Sequence, residues 1–112
     1  MLEARQVDWA SVTMQDVEYA LAALIRERQW LRQKQRREAL STKDIAFMHE
    51  SGIQLHLLFE GQAIKWADKG LSAIRGKIEK IEARLANPTK INPYDDILCE
   101  KLHEQLRKLE CR

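Results

Sequence analysis

Apolar residues recur every three or four positions along most of this chain, which is the spacing of one face of an α-helix. The longest such series is Ile64, Ala67, Leu71, Ile74, Ile78, Ile81 and Leu85. A 3-4 spacing kept over about three heptads is typical of a coiled-coil seam. A second apolar stripe follows at Leu98, Leu102, Leu106 and Leu109. The pattern predicts that these two segments pack on each other.

Capping residues indicate where the helices begin and end. Thr13 and Ser41 each precede an aspartate by three positions, which is the arrangement of a capping box. Asn87-Pro88 stops a helix, and Asn92-Pro93 starts the next one, because proline is tolerated in the first turn of a helix and not in its interior. The sequence therefore predicts an N-terminal segment (1–12) and three helices, over 14–40, 42–86 and 93–110.

The predicted fold class is all-α. We expect an antiparallel helical bundle or coiled coil in which a long central helix is flanked by two shorter helices. A chain of 112 residues has room for a single helical domain with one core. Gly52, Gly61 and Gly70 each weaken the central helix by up to about 1 kcal/mol relative to alanine, so its continuity at these positions stays open.

The first half of the predicted central helix is apolar on two sides. One stripe consists of Met48, Gly52, Leu55, Phe59 and Trp66, and the other of Ile53, Leu57 and Ile64. The first helix can cover one side, and the N-terminal residues Leu2, Val7, Trp9 and Val12 can cover part of the other. The remaining apolar surface predicts a homodimer, because most soluble oligomers are symmetric. Its predicted interface contains Met48, Leu55, Phe59 and Trp66.

Basic residues are concentrated in one segment although the net charge of the chain is only +2. Residues 26–43 contain seven Lys or Arg and two Glu. Arg26, Trp30 and Lys34 lie one helical turn apart, and Arg36 and Arg37 follow them. An aromatic ring flanked by cations is a common protein-interaction hot spot, and it can also stack on a nucleobase while the cations contact phosphates. A solvated basic face, with Trp30 packed on another helix, is the structural alternative.

These features favour a non-enzymatic protein-interaction module, acting as an adaptor, regulator or inhibitor, that presents its basic, Trp-containing face to a larger acidic protein. One alternative is a small nucleic-acid-associated protein that uses the same face, and another is an architectural subunit of a hetero-oligomer. The low net charge weighs against nucleic acid. The sequence contains no phosphate-binding loop, nucleophile elbow or paired carboxylates, so we expect no catalytic residues, no cofactor and no small-molecule substrate.

Metal-ligating residues occur in the sequence only as partial sets. Glu100 and His103 have the Glu-x-x-His spacing of di-iron bundles, and Cys99 with His103 has the spacing of a half-site. The sequence contains no second Glu-x-x-His motif and no second pair of ligands that would complete either site. His49 and His56 lie about 10 Å apart along a helix, which is too far for one ion, so we expect a buried or hydrogen-bonded pair there. The sequence therefore predicts no metal site within one chain, and the histidines could share an ion only if two pairs met across the axis of a dimer.

Membrane insertion and secretion are not expected from the sequence. No apolar run approaches the roughly 20 residues of a membrane-spanning helix, and the N-terminus lacks the layout of a signal peptide. Cys99 and Cys111 are too few for a disulfide framework and are expected as free thiols. These observations predict a cytoplasmic protein without a membrane partner.

Overall fold

The computed structural model describes residues 7–87, 89 and 92–111. All regular secondary structure in these ranges is helical. A 3-10 turn, Trp9–Ser11, precedes four α-helices: α1, Met14–Gln35; α2, Thr42–Asp68; α3, Leu71–Leu85; and α4, Asp95–Glu110. The helices pack against one another, so the predicted all-α bundle is confirmed. Within the described ranges, none of the helices has the length and apolar character needed to cross a membrane.

Both capping boxes predicted from the sequence are present. The Thr13 hydroxyl accepts the backbone N–H of Asp16 at 3.0 Å, and the Asp16 carboxylate accepts the backbone N–H of Thr13 at 3.1 Å. Ser41 and Asp44 repeat the arrangement at the start of α2. Each box satisfies backbone donors that have no partner within the helix, and thereby sets where the helix begins.

Helix α1 ends at Gln35 rather than at residue 40. Its last buried side chain is Leu31, so further helical turns would gain no packing against the rest of the chain. Backbone N–H groups just beyond the helix donate to the carbonyls of Gln33 and Lys34 and close its last turn. The remaining residues, up to Ser41, form the turn into α2.

The prediction of one continuous helix over 42–86 is wrong at Gly70. The φ angle of Gly70 is +106°, which residues with a side chain rarely adopt. Gly70 follows the end of α2, and its carbonyl accepts the N–H of Ile74 at 3.1 Å in the first turn of α3. The predicted central helix is therefore two helices, whereas Gly52 and Gly61 remain inside α2.

Helix α2 lies at the centre of the bundle. It packs on α1, α3 and α4, most extensively on α4, and α3 also packs on α4. The buried core comprises Trp9, Val17, Leu21, Leu55, Phe59, Ala63, Ile74, Ile78, Ile81, Tyr94, Leu98 and Leu102. Helix α4 thus packs on both helices that share the predicted seam. Leu71 and Leu85 of the seam are 40% and 41% exposed, and the antiparallel coiled-coil geometry stays a prediction.

The N-terminal segment covers α2 at Gly61. The Trp9 ring lies so close to Gly61 that a Cβ at this position would overlap three of its ring carbons. Trp9 is buried, and Val7 and Val12 pack against the same core. This segment therefore covers part of α2, as expected from the sequence, while Leu2 lies outside the described residues.

Candidate interaction surface

The outward face of α1 carries two exposed aromatic side chains. Tyr19 is 79% exposed and Trp30 is 52% exposed. They are separated by about three helical turns, or roughly 16 Å, and therefore lie on the same face. Arg26 lies between them and is exposed. The alternative in which Trp30 packs between helices is not what the structure shows, because half of this side chain is open to solvent.

Lys34 connects Trp30 to the start of α2. Its Nζ lies 5.6 Å from the centroid of the Trp30 ring and donates a 2.9 Å hydrogen bond to Oδ2 of Asp44. This hydrogen bond raises the pKa of Lys34 and lowers the pKa of Asp44, so both groups are charged at neutral pH. The charge of Lys34 is therefore paired within the chain, and its ammonium group is held beside the ring.

Arg28 joins α1 to α2, a role that the sequence analysis missed. Its Nη1 donates to the Met48 carbonyl oxygen at 2.7 Å and to the Ser51 hydroxyl at 2.6 Å. Ser51 is only 2% exposed. The available signal was the position of Arg28 between Leu24 and Leu31 in the apolar stripe of α1. A cation in such a stripe needs a polar partner on the neighbouring helix.

The five remaining cations of this region are all exposed, and they include Arg26, Arg36 and Arg37 on α1 and in the turn that follows it. Arg36 and Arg37 lie beyond the end of α1 in the turn to α2, and both are exposed. Ile45, which follows Asp44 in α2, is 58% exposed. We define the α1–α2 corner as Arg26, Trp30, Arg36, Arg37 and Ile45. It combines cations with apolar surface, which is the chemistry of many protein-binding sites.

The four side chains predicted for a homodimer interface do not form one open surface. Leu55 and Phe59 are buried in the core of their own chain, and the Phe59 ring stacks with that of Tyr94 at a centroid distance of 6.2 Å. Assigning these two residues to an interface is therefore wrong, because the same chain covers them. Met48 and Trp66 are half-buried. Dimerisation itself stays a prediction.

Trp66 differs from Trp30 in its surroundings. The Nζ atoms of Lys69 and Lys77 lie 4.4 Å and 5.4 Å from the centroid of the Trp66 ring. The ring is half-buried against the core. The cations that face the Trp66 ring therefore belong to the same chain. Trp30, by contrast, keeps half of its side chain open to solvent, near exposed arginines.

Glu82 of α3 lies beside Cys99 and His103 of α4. The possible ligand atoms of these three side chains all lie within 4.8 Å of one another, and His103 Nε2 is 3.5 Å from Glu82 Oε1. In the part of the chain that the structure describes, this is the one group of three such residues that comes so close. The tertiary structure thus adds a third member to the Cys99–His103 half-site, and Glu100 is not part of the group.

The histidines of α2 take no part in this cluster. His49 and His56 are both exposed. The prediction of a buried pair is therefore wrong, because their side of α2 faces solvent rather than a neighbouring helix.

The bundle also contains a cleft of about 260 Å³, which the sequence did not predict. Its lining comes from α1, α2, α3 and the start of α4, and includes Gln62, Lys77 and Tyr94. Burial, and then the charge of Arg84, lowers the pKa of Lys77. No periodic pattern along the chain could indicate a cleft assembled from four helices.

Comparison with family models, with curated proteins and with solved structures found no match for the chain. Its function is therefore inferred from its own geometry.

Proposed function

We propose that the protein is a non-enzymatic interaction module whose α1–α2 corner binds an acidic segment of a larger protein. The observation that carries this proposal is the half-exposed Trp30 side chain, with Arg26 one turn away on the same helix. Tryptophan is a residue that folded proteins bury on average, and Trp and Arg are enriched among interface hot spots. An open Trp ring among arginines therefore favours docking over a merely solvated face.

The charges of the corner favour an acidic protein over a nucleic acid. Of the seven cations in residues 26–43, Arg28 is bound to α2 and Lys34 is paired with Asp44. The exposed Glu27 and Glu38 offset part of the remaining charge. A surface of modest positive charge steers an acidic partner, whereas nucleic-acid binding relies on many phosphate contacts.

Lys34 contributes to this surface by positioning rather than by direct contact. Asp44 accepts hydrogen bonds both from Lys34 and from the backbone of Ser41. The ammonium beside Trp30 is therefore anchored to the start of α2 before a partner binds. Ordering a flexible side chain on binding costs about 0.5–1.5 kcal/mol, so a Lys34 side chain that is already held in place lowers the entropic cost of binding beside Trp30.

A peptide-display selection against the immobilised protein tests this proposal. We expect the enriched peptides to combine Asp or Glu with apolar residues. Trp30→Ala should weaken the binding of these peptides at least about tenfold, which corresponds to about 1.4 kcal/mol. Leu85→Ala is the matched control, because it removes a partly exposed apolar side chain from α3, and it should bind like wild type. Peptides without acidic residues, or equal binding by Trp30→Ala, would contradict the proposal.

The same variants separate a protein partner from a nucleic acid. Wild type, Arg26→Ala and Trp30→Ala are titrated with random-sequence single-stranded RNA and with duplex DNA at low salt. We expect no binding that depends on these two side chains. Binding that both variants lose, and that weakens steeply with salt, would assign the corner to nucleic acid instead.

We propose dimerisation as a separate property, and it must use side chains that one chain leaves open. Outside the α1–α2 corner, α2 leaves Ile53 open, which is 38% exposed. A molar mass of one chain by light scattering at micromolar concentration would contradict the dimer and leave the docking proposal intact. An assembly formed only with a different protein would favour the architectural role.

A further inference from the structure

We propose that Glu82, Cys99 and His103 form a zinc-binding site that joins α3 to α4. They supply a carboxylate, a thiolate and an imidazole, which are the three donor types that zinc uses in proteins. A thiolate with an imidazole selects zinc over magnesium or calcium, because the latter two prefer oxygen ligands. The site is distinct from the α1–α2 corner and does not depend on the function proposed there.

The distances within the cluster suit a single tetrahedral ion. Zinc lies about 2.0–2.3 Å from its ligands, so two ligand atoms of one tetrahedral ion are roughly 3.3–3.8 Å apart. His103 Nε2 and Glu82 Oε1 are already 3.5 Å apart, and no pair in the cluster exceeds 4.8 Å. Side-chain rotations that move the ligand atoms by about 1 Å bring all three within bonding distance of one ion.

The backbone positions of all three ligands are held by the core. Each ligand directly follows a buried apolar residue: Ile81, Leu98 and Leu102. Cys99 and His103 lie on successive turns of α4, and the packing of α3 on α4 places Glu82 opposite them. Binding therefore requires only the ends of side chains to move, which makes the site largely preformed.

The solvent side of the cluster leaves room for a fourth ligand. The side chains of Glu82 and His103 are 56% and 44% exposed. Zinc with three protein ligands completes its coordination with water. An ion can therefore enter from solvent without opening the bundle.

Cys99 binds zinc only when it loses its thiol proton. Burial, and then the carboxylates of Glu82, Asp96 and Asp95, raise the pKa of the Cys99 thiol. The thiol therefore keeps its proton at neutral pH when no metal is bound. Zinc forms the sulfur–metal bond as the S–H bond breaks, and the proton is released to solvent.

Titration with Co²⁺, followed by competition with Zn²⁺, tests the site in the full chain. We expect one Co²⁺ per chain with a thiolate-to-cobalt absorption band, and displacement of that band by one equivalent of Zn²⁺. Cys99→Ser should abolish the band. His103→Gln and Glu82→Gln should each raise the dissociation constant at least about tenfold. Zn²⁺ should also raise the unfolding temperature of wild type and leave that of Cys99→Ser unchanged.

Two control variants test the choice of ligands. Cys111→Ser removes an exposed thiol outside the cluster, and Glu100→Gln removes the carboxylate that the sequence motif pairs with His103. Both should keep the absorption band and the affinity of wild type. A band that survives in Cys99→Ser, a band lost in Cys111→Ser, or no stoichiometric binding by wild type at micromolar Co²⁺ would overturn the assignment. Circular dichroism confirms that each variant is folded.

Discussion

At the residue scale, the contact between α1 and α2 depends on side chains that exchange hydrogen bonds across it. Arg28 donates to the Met48 carbonyl and to Ser51, and Lys34 donates to Asp44. Ser51 is buried, so its hydroxyl has little access to water. Loss of a hydrogen bond to a buried group lowers the free energy of unfolding more than loss of an exposed one, because the buried group cannot bond to water instead.

Arg28→Ala should lower the free energy of unfolding by about 1–3 kcal/mol, because it removes the charged donor from the buried Ser51 hydroxyl oxygen, while the Met48 carbonyl still accepts the Ser51 hydroxyl at 3.3 Å. Arg26→Ala, two positions earlier on the exposed face, should change it by less than about 0.5 kcal/mol. Urea denaturation measures both variants. Equal effects of the two substitutions would show that the hydrogen bonds of Arg28 do not stabilise the fold.

The Lys34–Asp44 pair contributes a pH dependence to the stability of the fold. The hydrogen bond from Lys34, with those from Ser41, holds the pKa of Asp44 below its ordinary value of 3.8. A carboxyl group whose pKa is lower in the folded state stabilises the fold above its unfolded-state pKa. That stability is lost as the pH falls through the folded-state pKa. The free energy of unfolding should therefore decrease as the pH falls below the ordinary pKa of an aspartate.

Asp44→Asn should remove part of this acid sensitivity, because an amide does not titrate. Thermal unfolding of wild type and variant, from neutral to acidic pH, measures the difference. Asp68→Asn, which changes an exposed aspartate at the end of α2, is the control and should follow wild type. The same decline in Asp44→Asn as in wild type would contradict the expectation.

At the element scale, the glycines of α2 and α3 have different surroundings. Trp9 lies directly on Gly61, whereas no atom lies within 4 Å of a Cβ built on Gly76 in α3. Gly70 has the same open space around it but a φ of +106°. The same substitution by alanine therefore tests close packing, helix propensity and backbone conformation separately.

Gly61→Ala should lower the free energy of unfolding by about 1–3 kcal/mol, because the new Cβ overlaps the Trp9 ring. Gly76→Ala should raise it by up to about 1 kcal/mol, since alanine is the better helix former and meets no neighbour. In a Trp9→Ala background, Gly61→Ala should no longer be destabilising. A double-mutant cycle by chemical denaturation measures this coupling, and additive effects would mean that Trp9 and Gly61 are not in contact.

Gly70→Ala should lower the free energy of unfolding by about 1–3 kcal/mol, because alanine is strained at this φ. If α2 and α3 formed one continuous helix, the same change would stabilise the protein by about 1 kcal/mol. The sign of the measured difference thus decides whether the helix is broken in solution.

At the scale of the whole molecule, one core is shared by all four helices and the N-terminal turn. Helix α4 packs on both α2 and α3, and Leu55 and Phe59 of α2 are buried within the shared core. Much of the apolar surface from which a dimer was predicted is therefore covered within the chain. What remains open on α2 is smaller and centred on Ile45 and Ile53.

Phe59→Ala should lower the free energy of unfolding by about 3–5 kcal/mol, because it leaves a cavity beside Tyr94 in the core. The loss should be the same at every protein concentration, since the contacts are within one chain. Ile45→Ala, on the exposed side of α2, should change the stability by less than about 0.5 kcal/mol. If the loss of unfolding free energy in Phe59→Ala changed with protein concentration, Phe59 would lie in a subunit interface after all.

Part of the candidate surface could be predicted from the sequence. The exposure of Arg26 and its place one turn from Trp30 follow from helical periodicity, because Arg26 lies away from the apolar residues of α1. The sequence left open whether Trp30 is exposed or packs on another helix. The separate roles of Arg28 and Lys34 could not be predicted in this way. Their partners lie on α2, and periodicity within α1 contains no information about a neighbouring helix.

The sequence by itself determined the all-helical class, the two capping boxes and the chain positions at which α1 and α2 begin. These features depend on interactions between residues within one or two helical turns of each other, so the spacing of residue types along the sequence is enough to predict them. The tertiary structure alone decided three others: the break at Gly70 rather than at Gly52 or Gly61, the burial of Phe59, and the meeting of Glu82 with the half-site on α4. Each depends on contacts between distant segments, or on a backbone conformation that several similar glycines could have adopted at nearly equal cost.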